Sequence, residues 1–172
     1  MDLFDTVKVP EGFLQIRAYE ANTGRLVDLV EGHNIVVNDG REALARLLGN
    51  SGPDGGVTSW HVDTMKFGKG GHNPLNPLEM VAVSVTDTDL YDQGATPAYY
   101  PDKTVTVSFP SYRKVTFEAS VEAAEGNGTG VLEYSEAGLY YDTGQIMFSH
   151  KAFGYIVKNN TIRLVATWTF TF

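Results

Sequence analysis

The glycine-rich run Gly68-Lys69-Gly70-Gly71 has the composition of a phosphate-binding loop. Such a loop requires the pattern G-x-x-x-x-G-K-[ST] at the start of a helix, because backbone N–H groups and the helix dipole must point at the phosphate. Here Pro74 and Pro77 follow the glycines and exclude a helix at that position. The sequence therefore argues against phosphate binding and predicts an extended loop over residues 68–77.

Three aspartates at short spacing, Asp87, Asp89 and Asp92, carry the hard oxygen ligands that calcium prefers. Their spacing is not that of an EF-hand loop, and no glutamate stands at the closing position of such a loop. A polar turn, in which each carboxylate accepts a nearby backbone N–H, explains the same residues. We favour the turn, and ion binding stays open at this point.

The sequence contains no recognisable catalytic set. It has no cysteine, which removes thiolate zinc sites and cysteine nucleophiles, and no G-x-S-x-G pattern that would nominate a nucleophilic serine. No histidine pair is spaced i, i+4 on a predicted helix beside a carboxylate. The four histidines are His33, His61, His72 and His150. We therefore expect a protein that is not an enzyme and that has no cofactor, metal or catalytic residue.

Composition narrows the range of partners. The chain has 172 residues, enough for one domain with its own core, and a net charge of −8. Its overall field repels nucleic acid and acidic membranes. No apolar run approaches the ~20 residues of a membrane-spanning helix, and the acidic N-terminus does not read as a signal peptide. We expect neither nucleic acid nor membrane as a partner, and synthesis in the cytoplasm.

Most of the sequence has the two-residue periodicity of β-strands. In the last predicted strand, apolar residues from Ile162 to Phe172 alternate with mostly threonine. Further strands are predicted at 13–19, 25–30, 35–37, 60–67, 80–85, 104–109 and 112–121. The fold class is therefore mainly β, an antiparallel β-sandwich or jelly-roll-like domain. We divide it into an arm (1–12), a hairpin with a helix (13–50) and a core (57–172), joined by a linker at 51–56 into one compact domain.

One short helix is predicted over residues 39–49. Asp39 and Glu42 match a capping box, in which each side chain accepts an unpaired N–H of the first turn. A helix of this length is marginal alone in water, so its apolar stripe should pack on a sheet. That stripe consists of Leu44, Leu47 and Leu48.

The segment from Tyr134 to Phe148 predicts a tight hairpin. Two apolar runs, 139–141 and 146–148, flank Asp142-Thr143-Gly144-Gln145, in which Gly144 can take the positive φ that the turn requires. By contrast, residues 86–103 are polar and tyrosine-rich with two prolines, which predicts an irregular loop. Its tyrosines are expected to be exposed, either as a satellite of the core or at a protein interface. They are Tyr91, Tyr99 and Tyr100.

From about Trp60 to Phe153 the sequence resembles the N-terminal attachment domain of bacteriophage tail-fibre and tail-collar proteins. The order and spacing of several segments carry the resemblance: 65–70, 88–91, the alternating strand 112–122, and 135–140 with its hairpin. The hairpin and helix at 13–49 are not required by that family domain, and from this sequence we expect no fibre stalk or receptor-binding tip.

The resemblance implies a non-enzymatic virion protein that attaches neighbouring proteins of the tail, baseplate, collar or neck. Two alternatives stay open: a decoration protein of the capsid and, less favoured, a carbohydrate-binding module. The partners would be other virion proteins and further copies of the chain, for instance in a trimer. We expect contacts from the 1–12 arm and from the loops at 68–78 and 86–103. The interface residues predicted there are Lys69, His72, Asn73, Tyr91, Tyr99 and Tyr100.

Overall fold

The computed structural model describes residues 10–49, 52, 56–94 and 99–172, without the side chains of residues 77 and 78. Most of the predicted 1–12 arm and of the 51–56 linker lies outside the described residues. The described part contains one helix, α1 (Asn38–Leu48). Its strands are β1 (Glu11–Glu20), β2 (Leu26–His33), β3 (Ile35–Val36), β4 (Val62–Gly68), β5 (His72–Asn73), β6 (Asn76–Met80), β7 (Lys103–Thr104), β8 (Thr106–Ser111), β9 (Lys114–Val121), β10 (Leu132–Tyr141), β11 (Ile146–Lys158) and β12 (Ile162–Thr171).

The strands form two five-stranded antiparallel sheets and one small hairpin, which confirms the predicted mainly β, sandwich-like fold class. The first sheet has the order β2-β1-β12-β9-β8, and the second has the order β3-β11-β10-β4-β7. The hairpin β5–β6 pairs with neither sheet among the described residues, although it contacts β11. The predicted hairpin at 13–30 is thus part of the first sheet, because β1 pairs with β12 along ten residues of each strand.

Alternating side chains of β12 supply the centre of the core. Leu164, Ala166, Trp168 and Phe170 are buried, as the periodicity predicts. The ring of Phe148 on the second sheet meets Phe170 edge-on at 5.5 Å between centroids. Each side chain of this size contributes about 1.5–3 kcal/mol when it is fully buried. The core therefore lies where the two sheets face each other.

The β10–β11 turn confirms the predicted hairpin and extends it. Not only Gly144 (φ 77°) but also Asp142 (φ 56°) and Thr143 (φ 59°) have left-handed backbone angles. The Asp142 carboxylate accepts the Thr58 N–H at 2.6 Å, and hydrogen bonds from Thr58 hold the pKa of Asp142 below its ordinary value. These contacts secure the turn to the segment that precedes β4.

The start of α1 differs from the prediction. The helix begins one residue earlier, after Val37, and no side chain caps it, so the predicted capping box is wrong. The first N–H, from Asn38, instead donates to the carbonyl oxygen of Val85 at 2.8 Å. Because Asp39 then lies inside the first turn, Glu42 does not complete the box, and its carboxylate pairs with Arg46 at 3.0 Å.

The leucine stripe of α1 is only partly buried, which also differs from the prediction. Gly40 and Ala43 are the buried residues of the helix, while Leu47 is 39% exposed and Leu48 is 88% exposed. A Cβ atom on Gly40 would lie 2.1 Å from the carbonyl oxygen of Phe148. The helix thus contacts β11 through its small residues, and this close approach turns the last leucines away from the core.

Three strand predictions are wrong in detail. The predicted loop at 68–77 contains β5 and the first two residues of β6, whereas residues 81–85, predicted as strand, have no strand structure. The predicted strand at 104–109 divides at Val105, whose N–H donates to the Asp63 carbonyl at 2.9 Å. Before that point the chain pairs with β4, and after it with β9, so this segment crosses between the sheets.

Candidate functional site

A buried carboxylate on β10 organises the loops above the second sheet. Glu136 is fully buried, and its oxygens accept three backbone N–H groups, from Gly70 at 2.8 Å, Tyr91 at 2.9 Å and Asp92 at 2.8 Å. The β10 strand presents this carboxylate among apolar neighbours, where an unpaired charge would be strongly unfavourable. Glu136 therefore attaches two separate loops, 69–71 and 90–92, to the same strand.

His150 on β11 joins Glu136 to a second carboxylate. Its Nε2 lies 3.1 Å from Glu136 Oε2, and its Nδ1 lies 2.8 Å from Asp87 Oδ2, with the imidazole fully buried. Both ring nitrogens thus face carboxylate oxygens. We call Glu136, His150 and Asp87 the carboxylate–histidine cluster.

Asp87 fixes the outer end of this cluster. Its Oδ2 accepts the Ser84 N–H at 2.8 Å and the Tyr91 hydroxyl at 2.9 Å. Partial burial acts to raise the pKa of Asp87, but these hydrogen bonds and His150 together hold it below its ordinary value. In turn, burial and the bond to Asp87 raise the pKa of Tyr91 to about 12. The ring of Tyr91 also meets His150 edge-on at 4.8 Å.

The three aspartates of the predicted loop serve different partners. Asp89 accepts the Tyr140 hydroxyl at 2.6 Å and the Leu90 N–H at 2.9 Å, while Asp92 accepts the Gly94 N–H at 2.8 Å. Each carboxylate therefore accepts a nearby backbone N–H, as the favoured polar-turn alternative predicts. Among the residues that the structure describes, no group of three or more His, Cys, Asp or Glu side chains could hold a metal ion.

Four of the six predicted interface residues line one cavity of about 620 Å³ beside the cluster: Lys69, His72, Tyr91 and Tyr100. Lys69 lies 3.4 Å from the Asp92 carboxylate. The Nδ1 atom of His72 is buried and has no hydrogen-bond partner in the described part of the chain. Charged and aromatic side chains of the loops therefore line this cavity.

The predicted exposure of the loop tyrosines is correct for one residue and wrong for another. Tyr91 is 41% exposed, but Tyr100 is buried, and its hydroxyl donates to the Glu133 carbonyl at 3.1 Å. Tyr99 is half-buried against the core. The rings of Tyr100 and Tyr134 meet edge-on at 4.9 Å, which explains why Tyr100 belongs to the core and forms the inner wall of the cavity.

Asn73, the remaining predicted interface residue, lies on β5, and its amide donates to Glu79 at 3.1 Å. The other two histidines lie elsewhere: His33 contacts Phe13 at the edge of the first sheet, and His61 is exposed before β4. Sequence reasoning did not pair Glu136 with His150. The available signal was a carboxylate within the apolar run 134–141, since a buried charge must have partners.

Among known proteins, neither family models, nor curated proteins, nor solved structures give a match for the chain. Among the described residues, α1 is too short and too polar to cross a bilayer.

The geometry of the carboxylate–histidine cluster indicates a structural role. Each Glu136 oxygen already has two donors, and both Glu136 and His150 are shut off from solvent. The neighbouring Ser135 is also fully buried, and its hydroxyl oxygen accepts the Gly71 N–H at 3.0 Å. Both Glu136 oxygens therefore bind donors of the protein itself. What the cluster can do is hold the loops around the cavity in one conformation.

Proposed function

We propose that this protein is a non-enzymatic structural component of a bacteriophage virion. It acts as an attachment or adaptor module of the tail, baseplate, collar or neck, and it holds neighbouring virion proteins by surface complementarity.

One observation carries the proposal: three of the four segments that resemble phage attachment domains come together around Glu136, while the fourth, 112–122, contains β9 of the first sheet. Gly70, Tyr91 and Glu136 belong to three of those segments and are joined by direct hydrogen bonds. A further bond, from the Leu90 N–H to the Tyr140 hydroxyl at 3.1 Å, joins two of them again. This supports the proposal because the resemblance then concerns one physical scaffold, rather than separate short matches.

The second support is the surface that this scaffold carries. Glu136 holds Lys69 and Tyr91 on neighbouring loops, and both side chains remain partly exposed at the cavity. A surface whose loops are already ordered loses less conformational entropy when a partner binds. Such a surface suits an adaptor that must stay attached through the life of a particle.

The test is quantitative mass spectrometry of purified virions from the phage genome that encodes the chain. The proposal expects the protein in washed particles at a fixed ratio to the major capsid protein. A few to dozens of copies support the tail assignment, while hundreds would point instead to capsid decoration. Absence from intact particles, with the protein present in the lysate, would refute the virion role.

Charge-reversal variants test whether the cavity surface makes the attachment. We expect Lys69→Glu to reduce incorporation into particles, while the matched reversal Arg25→Glu, in an exposed turn of the first sheet, leaves it unchanged. The Lys69 side chain is 49% exposed and that of Arg25 is 70% exposed, and each loses one surface ion pair with a carboxylate, so circular dichroism should show both variants folded. Equal incorporation of the two variants would assign the attachment to another surface.

A further inference from the structure

An apolar surface separate from that cavity lies between α1 and the β8–β9 hairpin. It is a groove of about 340 Å³, at the lower end of the range for ligand pockets. Its walls include Leu44 and Leu47 of the helix, Val62 of β4, and Phe109 and Val115 of the hairpin. We call this surface the helix–hairpin groove.

Several aromatic side chains that line the groove are largely exposed to solvent. Phe109 is 76% exposed, Tyr112 is 92% exposed and Phe172 is 60% exposed. Single exposed apolar residues are ordinary, but a contiguous group around a concave surface marks a binding site. Aromatic residues of this kind provide a large contact area at a low cost in side-chain entropy.

The charge of the groove is opposite to that of the whole chain. Its lining includes Arg113 and Lys114 and, among the described residues, no Asp or Glu side chain, although the chain carries a net charge of −8. Arg113 lies over the Tyr112 ring at 5.3 Å from its centroid, so the cationic and aromatic groups form one surface. A ligand for this groove is therefore expected to carry both apolar and acidic groups.

We propose that the helix–hairpin groove binds a peptide segment of a partner protein in which bulky apolar residues stand beside carboxylates. The apolar side chains enter between Leu47 and Phe109, and a carboxylate pairs with Arg113 or Lys114. The inference goes beyond the proposed function, since it concerns another surface and another experiment. Failure of either one leaves the other standing.

Charge complementarity favours such a partner over a second copy of the chain. In a two-fold symmetric dimer the same patch forms both sides of the interface. Two such grooves face to face would bring Arg113 and Lys114 of both copies together, and like charges across an interface are strongly unfavourable. An acidic segment has the opposite effect, because it neutralises the same two cations.

The experiment measures fluorescence anisotropy of labelled nine-residue peptides with the purified full chain. The probe has the core Asp-Phe-Leu-Glu; the control peptides replace it by Lys-Phe-Leu-Lys and by Asp-Ser-Ser-Glu. We expect saturable binding of the probe below about 1 mM and much weaker binding of both controls. Binding of the Lys-Phe-Leu-Lys peptide as tight as that of the probe would overturn the proposal.

Two groove variants and one control variant locate the binding. The double variant Arg113→Glu/Lys114→Glu should weaken probe binding at least roughly tenfold, since two attractive charges become repulsive. Phe109→Ser should also weaken it, whereas Leu75→Ser, at a still more exposed apolar residue on the β5–β6 turn, should not. All three variants change exposed side chains, and circular dichroism checks that they fold.

Unchanged affinity in both groove variants would place the peptide elsewhere and refute the proposal. Sedimentation equilibrium supplies the remaining outcome. If the wild-type chain is a dimer that Phe109→Ser converts to monomer, a second copy fills the groove, and the peptide proposal is wrong.

Discussion

Replacing Glu136 by glutamine tests whether one buried carboxylate holds the loops to the second sheet. Glutamine has nearly the same shape as glutamate, so the change leaves no cavity. It converts one acceptor oxygen into an NH2 donor and removes the negative charge. In the wild type the two oxygens accept from Gly70, Tyr91, Asp92 and His150.

The magnitude follows from the least damaging orientation of the new side chain. In that orientation the carbonyl oxygen of the glutamine side chain points toward the N–H groups of Gly70 and Asp92. Its NH2 group then faces the Tyr91 N–H and His150. His150 can then accept through Nε2, but the Tyr91 N–H meets another donor and loses its bond. One buried N–H without an acceptor, together with two bonds weakened from charged to neutral, costs about 3–5 kcal/mol. For a domain of this size that corresponds to a fall in melting temperature of roughly 6–20 °C.

Urea unfolding followed by circular dichroism gives the free energy of unfolding of Glu136→Gln and of a control, Glu133→Gln. Glu133 lies on the same strand but its side chain is exposed, so we expect the control to change stability by less than about 0.5 kcal/mol. Amide hydrogen exchange gives a second readout. The Tyr91 N–H should exchange faster in Glu136→Gln, whereas amides in the centre of the first sheet should differ only through the lower global stability.

The reasoning fails if Glu136→Gln and Glu133→Gln have the same stability within error. It also fails if stability falls as expected but protection of the Tyr91 amide is unchanged relative to the global value. In that case the carboxylate would matter to the core and not to the loops.

Three further predictions concern pH and backbone conformation. Burial lowers the pKa of Lys158 to about 8, so between pH 8 and about 10 the unfolded chain binds more protons than the folded chain. The free energy of unfolding of the wild type should therefore rise over this range, whereas that of Lys158→Met should stay flat. Urea unfolding at about pH 7.5 and 9.5 measures both. Gly144→Ala should destabilise the protein by about 1–2 kcal/mol, because Gly144 has a φ of +77°. Gly154→Ala, in open space on β11, should stabilise it by about 0.5 kcal/mol. Thermal unfolding compares the two variants, and equal effects would contradict the role of the turn. Because the pKa of Asp87 is lowered in the folded protein, its carboxylate stabilises the fold above about pH 4, and this contribution is lost as the pH falls further. The unfolding free energies of the wild type and Asp87→Asn should therefore converge in acid. A constant difference down to about pH 3 would be inconsistent with this linkage.

The parts of the fold that depend on local pattern could be predicted from the sequence. The strict alternation from Ile162 onward gives β12 and its buried face, and Gly144 between two apolar runs gives the β10–β11 turn. In both cases the information lies in neighbouring residues, since a two-residue period or a positive φ is a local property.

The pairing of distant elements could not be predicted in the same way. Nothing in the sequence of β12 indicates that it lies between β1 and β9. Likewise, the hydrophobic pattern of α1 suggested burial through its leucines, but the helix approaches β11 at Gly40, where the absence of a side chain permits close contact. A pattern of apolar residues records what can be buried, and not how closely two backbones approach.

The candidate site shows the same division. The aspartates at 87–92 were predicted as turn residues, and they do accept nearby backbone N–H groups. The link from Asp87 through His150 to Glu136 spans three chain segments, and only the folded structure brings them together. The sequence segments themselves carry no sign of the bonds between them.

The pairing of β1 with β12 also determines the order in which the protein is built during translation. The ten residues of β1 can pair with β12 only after the ten residues of β12 have been synthesised, about 150 positions later in the chain. Until the ribosome releases β12, the β1–β2 hairpin has an open edge and the centre of the first sheet is missing. The second sheet, whose principal hairpin β10–β11 comes earlier, can assemble first. Nascent chains stalled before residue 162 should therefore expose the apolar side of β1 to chaperones.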